Sequence, residues 1–121
     1  MFEVSVQETF AAAHFLRGYQ GKCERLHGHN YRVEVTVAGE KLDAIGMLCD
    51  FVVIKRELRK LLERLDHYHL NEVPPFDEIN TTAENIAHYI WTEMQKALGA
   101  GVNVSQTRVW ETDTCVATYR P

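Results

Sequence analysis

Cysteine is scarce in this chain: three residues, an odd number at scattered spacing. That excludes a disulfide framework. No apolar run approaches the roughly 20 residues of a membrane span. Met1-Phe2-Glu3-Val4 lacks the basic start and apolar stretch of a secretion signal, so a reducing cytoplasm is the expected location. Basic residues are also few. Against 17 Asp and Glu stand 13 Lys and Arg, a formal charge of −4. A strongly basic nucleic-acid binder is excluded by that balance. There is no low-complexity segment. What remains is ordinary for a folded chain, with 45% apolar and 25% charged residues. A length of 121 residues argues for one domain, 1–121. Such a domain can bury roughly two-thirds of its unfolded surface without staples.

Phe2, Val4, Val6, Phe10 and Ala12 alternate with Glu3, Ser5, Gln7 and Thr9, which predicts a half-buried strand broken only by Glu8 on the apolar side. A polar loop, Gly18 to Arg25, leads to a second strand with Tyr31, Val33, Val35 and Val37 on one face. Gly39 to Gly46 reads as a turn region. Asp50 is a candidate N-cap for a helix with the apolar stripe Phe51, Ile54, Leu58, Leu61, Leu62 and Leu65. The stripe ends near Asp66-His67, before a loop at Pro74-Pro75. Thr81 and Glu84 read as a capping box opening a second helix, with Ile86, Ala87, Ile90, Trp91, Met94 and Leu98 as its stripe and Gly99 as its stop. Val102–Glu111 and Cys115–Tyr119 are short strand candidates around a Thr112-Asp113-Thr114 turn. The order β-β-α-α-β-β is an α+β layout with helices on one face of an antiparallel sheet. Its exposed edges invite oligomerisation.

Histidine is the residue in excess, with six. His27-Gly28-His29 places two imidazoles two apart, on one face of a strand, in the parity of Tyr31 and Val33. His14 shares the apolar parity of the first strand. If both strands run that far, all three imidazoles enter the same inward side. A buried imidazole needs partners for its nitrogens, and a metal supplies one for all three. Three His with no completing carboxylate resemble an open catalytic zinc site. Gly28 leaves room for a ligand or for close backbone approach.

Asp66-His67-Tyr68-His69 is a second cluster. Two readings of it stand side by side: Asp66 orienting a general acid or base, or imidazoles favoured at a helix C-terminus by the macrodipole. Cys23 sits among Lys22, Glu24 and Arg25, four residues before His27, where cations or a metal favour thiolate. Cys49 and Cys115 read as structural residues in apolar surroundings. Glu111, by its own pattern, is an ordinary solvated residue at the end of a strand.

Phe10-Ala-Ala-Ala-His14, Cys23-Glu-Arg-Leu-His27-Gly-His29-Asn-Tyr31, Asp50-Phe51, Leu65-Asp-His67, Thr81-Thr-Ala-Glu84-Asn and Glu111-Thr follow one another along nearly the whole chain. In that order they resemble the 6-pyruvoyltetrahydropterin / 6-carboxytetrahydropterin synthase family. The Cys-x-x-x-His-Gly-His spacing is similar to the bacterial 6-carboxytetrahydropterin synthase branch, which feeds queuosine biosynthesis. The pyruvoyl branch typically carries two more residues in that interval.

The resemblance implies the tunnelling fold (T-fold) and a homohexamer built as a dimer of trimers, with active sites between subunits. It implies Zn2+ on His14, His27 and His29. Cys23 would serve as base or proton shuttle, with Asp66 and His67 as its partner pair from a neighbouring subunit. Glu111 would anchor the pterin ring, and Thr82 would add a polar contact. The implied reaction converts 7,8-dihydroneopterin triphosphate to 6-carboxy-5,6,7,8-tetrahydropterin, acetaldehyde and triphosphate. The alternatives are the pyruvoyl product, or a non-catalytic zinc- or pterin-binding protein. Two positions depart from the family pattern: Ala11, where a polar residue is common, and Thr81, where Pro is. The cations that hold the triphosphate stay unassigned, with Arg17, Lys22 and Arg25 nearby in sequence.

Overall fold

The period-two apolar pattern of the first forty residues produces two long strands. A computed structural model describes residues Met1–Pro121 and places them as β1 (Phe2–His14) and β2 (His27–Gly39). They pair antiparallel along their whole length, from Phe2 opposite Gly39 to His14 opposite His27. Two helices follow, α1 (Phe51–Leu62) and α2 (Ala83–Leu98), then β3 (Asn103–Thr112) and β4 (Cys115–Tyr119). The sheet order is β1-β2-β3-β4, all neighbours antiparallel. The expected α+β order is therefore the one observed.

The inward face of the sheet carries Val6, Phe10, Tyr31, Val33, Val35, Val104 and Val109, all buried. Ile54, Leu58, Leu61 and Leu62 of α1 and Ile86, Ala87, Ile90 and Met94 of α2 close over it. Together they form one core cluster of 20 residues. Truncating any of its large aliphatic members to Ala should cost about 2–5 kcal/mol. Glu8, the charge on the apolar side of β1, is resolved by α1: Arg59 Nε donates to its carboxylate at 2.8 Å, with Lys55 at 3.7 Å.

Several expectations change in detail. α1 ends at Leu62, and Leu65 reaches the core from the turn that follows. The cap expected at Thr81 is instead Thr82, whose hydroxyl accepts the Asn85 N–H at 3.2 Å. A cap of this kind is worth about 1 kcal/mol. Thr81 is released for another task, described below. Cys115, expected among apolar neighbours, lies exposed at the start of β4. None of the three cysteines is in a disulfide.

The loop between β1 and β2 is pinned, not merely solvated. Asn71 brackets Phe15, accepting its N–H and donating to its carbonyl, each at 3.0 Å. Asn80 does the same to Arg17, again at 3.0 Å on both sides. The Arg17 guanidinium donates to the carbonyls of Ile79, Phe76 and Asn71. This clamp fixes the point where the chain leaves β1, and His14 with it.

Candidate active site

Because β1 and β2 run to His14 and His27, the predicted parity holds and the three imidazoles converge on the inward face. Their ring centroids lie 4.6–5.2 Å apart. Glu111, from the end of β3, joins them. One potential ligand atom from each of the four residues lies within 4.8 Å of all the others. His14 is fully buried, and the other three are half-buried.

The tautomers follow from the partners. His14 Nδ1 donates to the Thr81 carbonyl at 2.9 Å, since a carbonyl can only accept. His27 Nδ1 donates to the Arg25 carbonyl at 2.7 Å. A neutral imidazole has one N–H, so both Nε2 atoms present lone pairs. These two nitrogens face each other at 3.0 Å. Two lone pairs at that distance repel unless a cation lies between them. On a tetrahedral zinc with bonds of about 2.0–2.1 Å, two imidazole nitrogens would stand about 3.3 Å apart. His29 Nε2 is buried and lacks a hydrogen bond of acceptable geometry, although Glu111 Oε1 lies 3.0 Å away. The same oxygen is 3.2 Å from His14 Nε2. The residues present therefore fit a metal ion.

Burial is the main force on two of these imidazoles, His14 and His29. It pushes the His14 pKa below the ordinary value, helped by His27 and His29 and opposed by the Thr81 bond and Glu111. His29 is lowered for the same first reason. Lowered values favour the neutral form of His14 and His29, which is the form that binds metal.

Two cavities flank the cluster. One of about 300 Å³ opens between the first turn of α2 and β4, lined by Ala83, Glu84, Glu111 and Cys115 among others. The other, of about 470 Å³, runs beside the end of β1, where Gly28, His29, His67 and His69 meet Ala11 and Ala13. A Cβ on Gly28 would stand 3.7 Å from the Ala12 carbonyl, an ordinary contact. Close backbone approach is thus not what glycine supplies there. Room in the cavity is.

Asp66 and His67 line the outer edge of β1. His67 N–H donates to the Ala11 carbonyl at 2.6 Å, and Ala13 N–H to the Tyr68 carbonyl at 3.1 Å. The Asp66 carboxylate accepts the Ala11 N–H at 2.9 Å and lies 3.0 Å from His67 Nδ1. The Ala11 bond, first, and His67 hold Asp66 below the usual carboxylate range. An ionised Asp66 fixes the Nδ1–H tautomer of His67 and leaves its Nε2 free. His67 has φ 63°, a left-handed backbone rarely adopted outside glycine, and its side chain is 82% exposed. Cys23 sits half-buried on a single 3-10 turn, Lys22–Glu24, with its carbonyl accepting the Leu16 N–H at 2.7 Å. No hydrogen bond joins Cys23 to Asp66 or His67 within one chain.

The chain's relatives bear on these groups. The family model for 6-pyruvoyl tetrahydropterin synthase matches residues 3–121. The chain belongs to that family. It is 37% identical to the 6-pyruvoyl tetrahydrobiopterin synthase of Homo sapiens, over 98% of this chain and 90% of that one. It is also 37% identical to a Synechocystis protein named 6-carboxy-5,6,7,8-tetrahydropterin synthase, over 98% and 93% of the two chains. The solved 6-pyruvoyl tetrahydropterin synthase of Caenorhabditis elegans superposes with a TM-score of 0.89 at 28% identity, covering 99% of this chain and 95% of that one. The expected tunnelling fold and the expectation of a pterin-synthase enzyme agree with these relatives.

The residue pattern by itself left three members of the site bland, and only the family resemblance named one of them, Glu111. Glu111 shares the inward parity of Thr107 and Val109, and a charge on an apolar face was the signal available. Thr81 looked like a cap. Tyr31 looked like core. Arg17, a candidate triphosphate cation, is committed to three backbone carbonyls instead.

Proposed function

We propose that this chain is a zinc-dependent 6-carboxytetrahydropterin synthase. It would convert 7,8-dihydroneopterin triphosphate to 6-carboxy-5,6,7,8-tetrahydropterin, acetaldehyde and triphosphate, in the cytoplasm and in the queuosine pathway. The observation that carries the reading is the convergence of His14, His27 and His29, the first two with Nε2 free of protons, beside a carboxylate that opens on a cavity. Identity does not separate the two named activities, since both relatives stand at 37%. The four-residue step from Cys23 to His27 favours the carboxy branch.

Zinc on the three imidazoles would supply a Lewis acid that polarises side-chain oxygens of the substrate. The other roles belong to the chain's own groups. Glu111 accepts two parallel hydrogen bonds from the amino-pyrimidine edge, as a carboxylate does from a guanidinium. Thr82, at the mouth of α2, adds a polar contact alongside its capping bond. Cys23 takes and returns protons on the side chain. His67 exchanges them through Nε2, and Asp66 keeps that nitrogen available. The unit is the single domain 1–121.

Assembly would complete the site. A catalytic imidazole that is 82% exposed performs poorly in bulk water, and a second subunit would cover it. The outer edge of β4 has no strand beside it, and β1 is covered only near Ala11 and Ala13. Joining such edges into a ring, with two rings stacked, gives a hexamer as a dimer of trimers. His67 of one copy would then face Cys23 of another.

Mass analysis of the product from 7,8-dihydroneopterin triphosphate tests the reading. Acetaldehyde and a 6-carboxy product are expected. A retained pyruvoyl side chain would assign the chain to the other activity. Cys23→Ala should abolish turnover while keeping the metal, and full activity in that variant would refute the thiol's role.

A further inference from the structure

Tyr31 is fully buried, yet its hydroxyl has no hydrogen-bond partner. A buried O–H without a partner costs stability, and native proteins rarely keep one without a use. The ring itself is well held. It stacks on Phe10 at 4.7 Å and meets the rings of His29 and His14 edge-on at 5.5 and 5.8 Å. Packing alone would be satisfied by Phe.

The register says what the hydroxyl is near. Arg32 pairs with Trp110 across β2 and β3. The paired register ends there, and Tyr31 and Glu111 are the next residues on the two strands. Both reach the same two imidazoles, Tyr31 edge-on with its ring and Glu111 with its carboxylate. Glu111 Oε1 approaches Nε2 of His14 and His29, at 3.2 and 3.0 Å. The proposed function commits both nitrogens to a metal. So committed, they carry no proton for a carboxylate. With ligand bound, Glu111 then needs another donor, and the unpartnered hydroxyl at the same imidazoles supplies one.

We infer that Tyr31 is a positioning residue for the pterin anchor: with ligand bound, its O–H donates to the Glu111 carboxylate and fixes the rotation that presents both oxygens to the amino-pyrimidine edge. This rests on the reading of Glu111 as that anchor. Tyr31 touches no reacting atom and acts through Glu111.

The test is Tyr31→Phe, which keeps the ring and removes only the oxygen. Two measurements are made: melting temperature of the metal-free protein, in which the hydroxyl has no partner, and affinity of the zinc-loaded protein for 7,8-dihydroneopterin by fluorescence titration. The expected result is an unchanged or raised melting temperature together with affinity about tenfold weaker, the loss of one hydrogen bond to a charged group. A purely structural hydroxyl would give the opposite pattern, and a fall of several degrees would overturn the inference. So would equal affinity in the two proteins. If the wild-type protein does not bind 7,8-dihydroneopterin at all, the pterin reading itself fails, and this inference with it.

Discussion

The Thr81 carbonyl accepts the Nδ1–H of His14 at 2.9 Å, across 67 positions of sequence. The Thr81 hydroxyl lies 3.1 Å from the same nitrogen and donates to the Phe15 carbonyl at 3.0 Å. One residue at the mouth of α2 thus fixes both the tautomer of an imidazole of the cluster and the chain just beyond it. Thr81→Val keeps the shape and the carbonyl but removes the hydroxyl. Phe15 retains its bond from Asn71. The expected cost is about 1 kcal/mol of stability, read from urea unfolding. Metal affinity should weaken by less than the roughly tenfold seen on losing a supporting partner outright, read by competition with a chelator.

His27→Ala removes one proposed ligand from a half-buried strand end rather than from the core. Zinc content by elemental analysis should fall to background, while circular dichroism stays that of the parent. Full zinc occupancy in this variant would show that the three-imidazole site is wrong.

Acid should loosen the segment that carries His67. Asp66 has its folded pKa lowered, chiefly by the Ala11 N–H. The unfolded chain therefore binds the proton first as pH falls. The stability that Asp66 contributes is complete above the ordinary carboxylate value, about 3.9, and is lost as pH drops through the lowered folded value. Amide exchange at Ala11, measured between pH 5 and pH 3 and corrected for intrinsic rates, should show protection falling with pH. In Asp66→Ala that protection should be low throughout.

Arg17→Ala should damage stability before it damages phosphate binding. Its guanidinium donates to three carbonyls, two of them on part-buried bonds. Losing charge-assisted donors of this kind costs about 1–3 kcal/mol. Denaturant unfolding should report that loss, and affinity for inorganic triphosphate should change little. A selective loss of triphosphate affinity at unchanged stability would return Arg17 to the binding site.

Period and parity made most of the fold legible. Strand alternation put His14, His27 and His29 on one face because side chains on a strand repeat every two residues. The helix stripes identified the residues that close the core. The motif order fixed the family. Helix ends were legible only to within a residue or two: Thr81 and Thr82 are both good caps by composition, and the packing of the α2 entrance against Phe15 and His14 chose between them.

Local sequence cannot register the contacts that turn three imidazoles into a site. Glu111 enters because the β2–β3 pairing, which runs up to Arg32 opposite Trp110, carries the end of β3 to the imidazoles, and register between strands some 70 residues apart depends on how the whole sheet packs under its helices. Thr81 reaches His14 only because the Asn71, Asn80 and Arg17 bonds hold the β1 exit against the α2 entrance. By itself, then, the sequence determined which residues face inward, since that follows from the geometry of a single strand or helix. Tertiary structure decided which of them meet, and left one tyrosine hydroxyl among them without a partner.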